Sequence, residues 1–223
     1  RGGQSVPVAG FHVPVQYPPG ITAEHLAVRT KAGLFDVSHM GEFVLTGPQA
    51  LDLIQWITVN DASKIALGQV QYSAMCLEHG GIIDDLLVYR GADHWMLVVN
   101  ASNKEKDLAW VKKQAQAFDV TVEDRSDATA LVAIQGPQAA TIVQGLTTTR
   151  LDDIGYYRFA PGAVAGIEGV ISRTGYTGED GFELYVPEAA GMTLWNALME
   201  TGTPRGLIPT GLGCRDSLRL EMG

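Results

Sequence analysis

Several things are scarce in this sequence, and each scarcity closes off a class of answer. There are two cysteines, Cys76 and Cys214, far apart in the chain. They form neither a cystine framework nor a Cys-x-x-Cys metal site, so both thiols are expected to be free in a reducing compartment. Five histidines (His12, His25, His39, His79, His94) stand at no zinc-like spacing, and no metal is expected. No run approaches the roughly 18 apolar residues that cross a bilayer, so no membrane role is expected. The amino end, Arg1-Gly2-Gly3-Gln4-Ser5, has no charged-then-apolar signal region and no initiating Met, so it reads as processed or cut. Basic side chains are outnumbered, 16 against 25, giving a net charge of −9. Such a surface repels phosphate backbones, and nucleic acid is an unsuitable partner. No Gly-x-Gly-x-x-Gly opens a helix and there is no phosphate loop, so nucleotide binding has no sequence basis.

What is present is a chain that can fold. Apolar residues make up 46% and charged ones only 18% of 223 positions, enough for one large core or two small ones. A short internal echo favours two. Glu42–Thr46 runs into Gly47-Pro48-Gln49-Ala50, and Leu131–Gln135 runs into Gly136-Pro137-Gln138-Ala139. Each reads as a strand, a releasing glycine, a proline at the first helical position and a short helix. Leu51, Ile54 and Ile57 would stripe the first helix; Ala139, Ile142 or Val143 and Leu146 would stripe the second.

Further helices follow from periodicity and caps. Ser102-Asn103-Lys104-Glu105 has the form of a capping box, and Leu108, Val111, Ala115 and Phe118 follow it, predicting a helix over about 102–118. Thr22 is expected to cap a helix that Gly33 ends, with Glu24 near its positive end. Met192, Trp195 and Leu198 or Met199 mark a helix ending near Gly202. Cys214, Leu218 and Met222 align on another over about 210–222. Gln69–Leu77, Ile82–Arg90 and His94–Val99 read as an antiparallel meander, turned at Gly80-Gly81 and Gly91-Ala92-Asp93. Val120–Glu123, Leu131–Gln135, Val170–Arg173 and Phe182–Val186 are further strands. The expected class is α+β: two related units of mostly antiparallel sheet with flanking helices, not a Rossmann arrangement.

Four segments can carry chemistry. In Gly80–Tyr89, strand alternation puts Asp85 on a face with Ile83, Leu87 and Tyr89, and Asp84 on the other with Ile82, Leu86 and Val88. The two carboxylates therefore cannot work as a mutual acid–base dyad. Periodicity does not say which one matters, and both read equally as partners of loop amides. In Arg173–Tyr185 a Gly-rich loop precedes a strand that carries Glu183, a carboxylate that can accept paired N–H donors from a flat heterocycle. An exposed Glu on an ordinary sheet face is the competing reading. Arg215 and Arg219 lie one helical turn apart and can hold an anionic or carbonyl-bearing ligand, or form a surface network with Asp216. His39, in Phe35–Gly41, has no demonstrable Ser-His-Asp partners.

Together, Phe35-Asp36-Val37-Ser38-His39-Met40, Gly80–Leu86, Gly175-Tyr176-Thr177-Gly178-Glu179-Asp180-Gly181 and Arg215–Glu221 resemble the aminomethyltransferase family, the T-protein of the glycine cleavage system. Val13–Tyr17 fits as well, and the pieces recur in family order along nearly the whole chain. The resemblance implies tetrahydrofolate as acceptor and the aminomethyl-loaded lipoyl arm of H-protein as donor. The implied products are 5,10-methylenetetrahydrofolate, ammonia and dihydrolipoyl H-protein. It makes Asp85 the key acidic residue, Glu183 a carboxylate on the pterin edge and Arg215 a folate-binding arginine. Met40, Tyr72 and Val99 would line the folate pocket, with Asn100 and Tyr176 beside them. A discontinuous domain, 1–47 with 128–223, is expected to hold an inserted one, 48–127. The family's further C-terminal β-barrel domain would be absent, leaving the isolated chain's activity open. The compartment would be cytoplasmic, or the mitochondrial matrix if the source is eukaryotic. Two other readings stay open: the folate-binding module of a sarcosine- or dimethylglycine-oxidase-type enzyme, and a non-catalytic folate-binding protein.

Overall fold

The computed structural model describes residues 2–8 and 10–223. The chain divides into two compact units, one made of the residues up to Ser38 with 130–223, the other of His39–Thr129. The first exchange point therefore falls before the strand Gly41–Thr46, not after it at 47. That strand belongs to the second unit because both its neighbours do.

The second unit is a five-stranded, wholly antiparallel sheet. In chain order its strands are β4 (Gly41–Thr46), β5 (Val70–Cys76), β6 (Ile82–Arg90), β7 (Trp95–Val99) and β8 (Thr121–Asp124), and they lie side by side as β5-β6-β7-β4-β8. The meander read from the sequence is β5-β6-β7, with Gly80 at φ 85 making its first turn. One face is covered by α2 (Ala50–Ile57) and α3 (Lys104–Ala115). Phe43, Leu45, Leu86, Val88, Leu97 and Val99 project from that face against Leu53, Ile54, Ile57 and Val111. The stripe of α2 is thus Leu53-Ile54-Ile57, with Leu51 only partly buried.

The expected capping box at 102–105 does not form. Ala101–Asn103 make a 3-10 turn, α3 starts at Lys104, and no side chain caps it. The Asn103 carboxamide instead donates to the Asp84 carboxylate at 2.8 Å. A buried charge is the more demanding acceptor, because leaving it unpaired costs more than leaving a helix-end N–H to water.

The first unit holds a hairpin, β1 (Gln4–Val8) with β2 (Phe11–Gln16), and a six-stranded sheet. That sheet contains β3 (Ala32–Asp36), β9 (Thr129–Gln135), β10 (Phe159–Val164), β11 (Ile167–Ser172), β12 (Gly181–Pro187) and β13 (Leu207–Pro209), in the order β10-β11-β12-β9-β3-β13. The short β13 runs parallel to β3, and β3 runs antiparallel to β9. Helices α4 (Ala139–Gln144) and α5 (Gly191–Gly202) close its core through Ile142, Val143, Leu194, Trp195 and Leu198. Met192, expected in the α5 stripe, is exposed.

Helix α1 (Ile21–Thr30) is capped by Gly20, not Thr22, and Gly33 lies beyond it in β3. Glu24 in its first turn is fully buried and accepts the backbone N–H groups of Tyr17 and Gly211. Helix α6 (Leu212–Glu221) buries Cys214 and Leu218, while Met222 lies past its end and is exposed. Both thiols are free.

The internal echo is structural. In each unit a strand leads through Gly-Pro-Gln-Ala into a helix, β4 to α2 and β9 to α4. The glycines hold nearly the same angle, φ 120 at Gly47 and φ 121 at Gly136. Each Ala N–H returns to its Gly carbonyl, at 3.2 and 2.9 Å, so the prolines sit inside a turn and not at the first helical position. A Cβ on Gly136 would lie 2.5 Å from the Val28 carbonyl oxygen and 2.7 Å from that of Lys31. Gly136→Ala is therefore expected to destabilise the protein by about 2 kcal/mol through backbone strain. A fall in the urea midpoint at unchanged slope checks this.

Candidate functional site

Strand β6 has the alternation the sequence gives it, and the structure separates its two acids. Asp84 turns to the helix-covered face with Leu86 and Val88 and is 7% exposed. It accepts from the Asn100 N–H at 3.3 Å, from Asn100 Nδ2 at 3.1 Å and from Asn103 Nδ2. It is fully engaged within the core. Asp85 turns the other way and is half-buried. Tyr72 sits two residue pairs along on neighbouring β5, and so on the same face, because Asp85 pairs with Ala74 and Leu87 with Tyr72. Its Oη donates to Asp85 Oδ2 at 2.7 Å, while Asn100 Nδ2, just past the end of β7, donates to Oδ1 at 2.6 Å. Each oxygen is thus held by a neutral donor, and none of these contacts neutralises the charge. An oriented, half-buried anion on the sheet face away from α2 and α3 is the result.

Tyr72, Asp85 and Asn100 therefore come together. Val99 does not join them as a side chain. It is fully buried on the helix-covered face, so it can offer a ligand only its backbone. Met40 precedes β4 in the same unit and is half-buried.

In the first unit, the Gly-rich loop after β11 is folded tightly over the end of β9. Gln135 Nε2 donates to the Thr174 carbonyl at 3.0 Å, Thr177 Oγ1 donates to Gln135 Oε1 at 2.9 Å, and the Gly136 N–H donates to the Asp180 carbonyl at 2.8 Å. A Cβ on Gly175 would run 2.0 Å from Gln135 Oε1, so a glycine is needed there for the close approach itself. Arg173 closes the loop's base with a two-pronged pair to Asp180, at 2.8 and 2.7 Å, holding the Asp180 carboxyl below its usual range. Arg29 of α1 bonds the Thr177 carbonyl, Glu179, the Leu218 carbonyl and Glu221, tying the loop to α6.

That tie brings three predicted residues to one place. The Arg215 guanidinium lies 4.0 Å from the centre of the Tyr176 ring, a stacking geometry. Arg219 Nε donates to Tyr176 Oη at 3.3 Å. Glu183, on β12, accepts a short hydrogen bond from the Thr174 hydroxyl. Its carboxyl is enclosed by protein although the residue keeps some exposed surface. Burial pushes its pKa above the ordinary glutamate value, while the Thr174 hydrogen bond and the Arg215 charge pull the other way. Glu183 can thus accept N–H donors from a ligand that replaces lost hydration.

Sequence reasoning missed the residues that hold these groups. Thr174 and Asn103 lie inside quoted motifs but carry no pattern that fixes their partners. Tyr157, at φ 56, has its phenol pushed up to about 12 by burial, then by Tyr156 and Glu183. Its unusual backbone angle is visible only in coordinates. A separate cavity of about 420 Å³ in the first unit, bordered by Tyr17, Asp36, Ser38 and Trp195, contains none of the predicted residues. Among the described residues, no helix is long and apolar enough to cross a membrane.

Known proteins resemble this chain along its whole length. An aminomethyltransferase of Chloroherpeton thalassium is 52% identical over the full chain, which spans 61% of that protein. A crystal structure of the glycine cleavage system aminomethyltransferase T from Bartonella henselae superposes on 99% of this chain with a TM-score of 0.90 at 37% identity, and 59% of that chain is covered. A heterotetrameric sarcosine oxidase from Corynebacterium sp. U-96 shares the fold over 83% of this chain, with a TM-score of 0.61 at 16% identity. The chain spans about three fifths of the length of the curated relatives it matches. The profile of the GCVT N-terminal domain matches residues 1–223, and the chain belongs to that family.

Proposed function

We propose that the chain is the folate-binding and catalytic part of a tetrahydrofolate-dependent aminomethyltransferase of the glycine cleavage system. The donor is the aminomethyl-loaded lipoyl arm of H-protein, and the products are 5,10-methylenetetrahydrofolate, ammonia and dihydrolipoyl H-protein. The observation that carries this reading is Asp85, a half-buried carboxylate oriented by two neutral donors. Positive charge develops at the carbon as it moves to a folate nitrogen. A fixed anion beside it stabilises that charge more in the transition state than in the ground state. Glu183 suits the paired N–H edge of a pterin, and Arg215, stacked on Tyr176, suits a carbonyl or carboxylate of the same ligand. Met40 and the Val99 backbone are assigned to the folate pocket, and no metal takes part in this scheme.

The test uses the full-length protein with tetrahydrofolate and loaded H-protein, following methylenetetrahydrofolate and ammonia together. Both should form in equal amounts. Formation from free formaldehyde but not from loaded H-protein would favour the oxidase-type module. Saturable folate binding with no turnover would overturn the enzymatic reading.

A further inference from the structure

Behind the Asp85 face, helix α3 presses another acid into the core. Asp107 lies in the first turn of α3, has no exposed surface, and neither of its oxygens accepts a hydrogen bond from any described donor. Its carboxyl lies against that of Asp84. The two acids are unequal, because Asp84 is served by three N–H donors from Asn100 and Asn103 and Asp107 by none. Two touching carboxylates in an apolar interior cannot both remain ionised, and the one without donors retains the proton. A neutral Asp107 then supplies an O–H of its own, directed at the Asp84 oxygen beside it.

We propose that Asp107 is a positioning residue, a carboxylic acid whose O–H fixes Asp84. Asn100, whose Nδ2 bonds both Asp84 and Asp85, then holds the Asp85 carboxylate at one angle. The chain of contacts runs Asp107–Asp84–Asn100–Asp85, from the helix-covered face of β6 to its other face. Burial first, then the Asp84 carboxyl, then Asp85, push the Asp107 pKa up to about 8, against the pull of Lys106. Lys106 is itself held by the Ile83 carbonyl at 2.8 Å and Asn103 Oδ1 at 3.0 Å. The ionisable side chains of the other elements packed on α3, Glu123 and Asp124 of β8 and Asp52 of α2, are exposed. Asp107 is therefore the buried acid on α3 whose charge can change near neutrality.

The kinetic half of this inference rests on the role proposed for Asp85; the protonation half does not. Both are tested in the full-length protein with Asp107→Asn, which keeps a donor without a charge, and Asp107→Leu, which keeps neither. An acid held above its unfolded value costs stability as pH rises, because the unfolded chain ionises it first. Urea titrations should therefore show Asp107→Asn gaining on the native protein by about tenfold in the unfolding constant per pH unit, from the ordinary aspartate range up to about 8. A difference that does not vary with pH overturns the buried acid. Native turnover should fall above about pH 8, where Asp107 ionises against Asp84, and Asp107→Asn should lack that alkaline limb. Asp107→Leu should lose about tenfold in kcat at unchanged KM, in the range of a misplaced reacting group. An unaltered limb in the Asn variant, or native turnover in the Leu variant, overturns the positioning role. If the pH-dependent stability appears while Asp85→Asn turns over normally, the acid pair stands and only the reading of Asp85 falls.

Discussion

Asp85→Asn should lower turnover of the full-length protein by about 10²–10³-fold, equivalent to about 3–4 kcal/mol, while tetrahydrofolate affinity stays within a few-fold of native. The substitution preserves shape and keeps one acceptor for Asn100, and the Tyr72 hydroxyl can reverse to accept from the new amide. What it removes is charge. The magnitude follows from the setting, since neither Tyr72 nor Asn100 neutralises the carboxylate and both hold it still. Its field is in place before the reaction begins. Asp84→Asn is a poor substitute for this test, because Asp84 belongs to the core and its loss would unsettle three hydrogen bonds at once. Single-turnover kinetics with a parallel folate titration separate the two quantities. Turnover near the native rate with intact binding would remove Asp85 from the chemistry.

The strands of the meander were legible because each is a short run rich in apolar residues bounded by turn signals, Gly80-Gly81 among them. The opposite facings of Asp84 and Asp85 followed directly from the period of two that any extended strand imposes. Which acid serves a site did not follow, because the answer lies with Asn100, Asn103 and Tyr72, supplied by elements 13 or more residues away. The strand β13 escaped notice because three residues are too few for a period, and β3 because residues 32–35 are all buried and show no alternation. The false capping box at Ser102 is instructive. Local pattern allowed it, but the buried Asp84 charge claimed Asn103 and the chain entered α3 one residue later. Asp107 was invisible for the converse reason. An aspartate in the first turn of a helix reads as a favourable partner of the helix dipole, and only the packed sheet shows that it has been sealed from water. The Gly-rich loop declared itself as a loop, yet its anchoring by Gln135, Arg173 and Arg29 depends on three separate stretches of sequence.

Glu183→Gln should weaken tetrahydrofolate binding by about 100-fold. Two charge-assisted hydrogen bonds to a carboxylate contribute about 1.5–3 kcal/mol each, and glutamine retains one neutral acceptor. The effect carries a pH signature that separates it from lost shape. Burial raises the Glu183 pKa above the ordinary glutamate value in the free protein, despite the Thr174 hydrogen bond and the Arg215 charge. A ligand with two N–H donors selects the ionised form and brings the donors that burial denies it, so binding lowers this pKa. Protons therefore compete with the ligand. Affinity should fall as pH drops through the raised pKa of the free carboxyl and level off above it, with a proton released on binding in that range. Calorimetry in buffers of different ionisation enthalpy reads that proton directly. In Glu183→Gln both the proton release and the acid limb should vanish, because the amide does not titrate. A variant that loses affinity but keeps the native pH dependence would show that a different group titrates, and Glu183 would then not be the acceptor on the pterin edge.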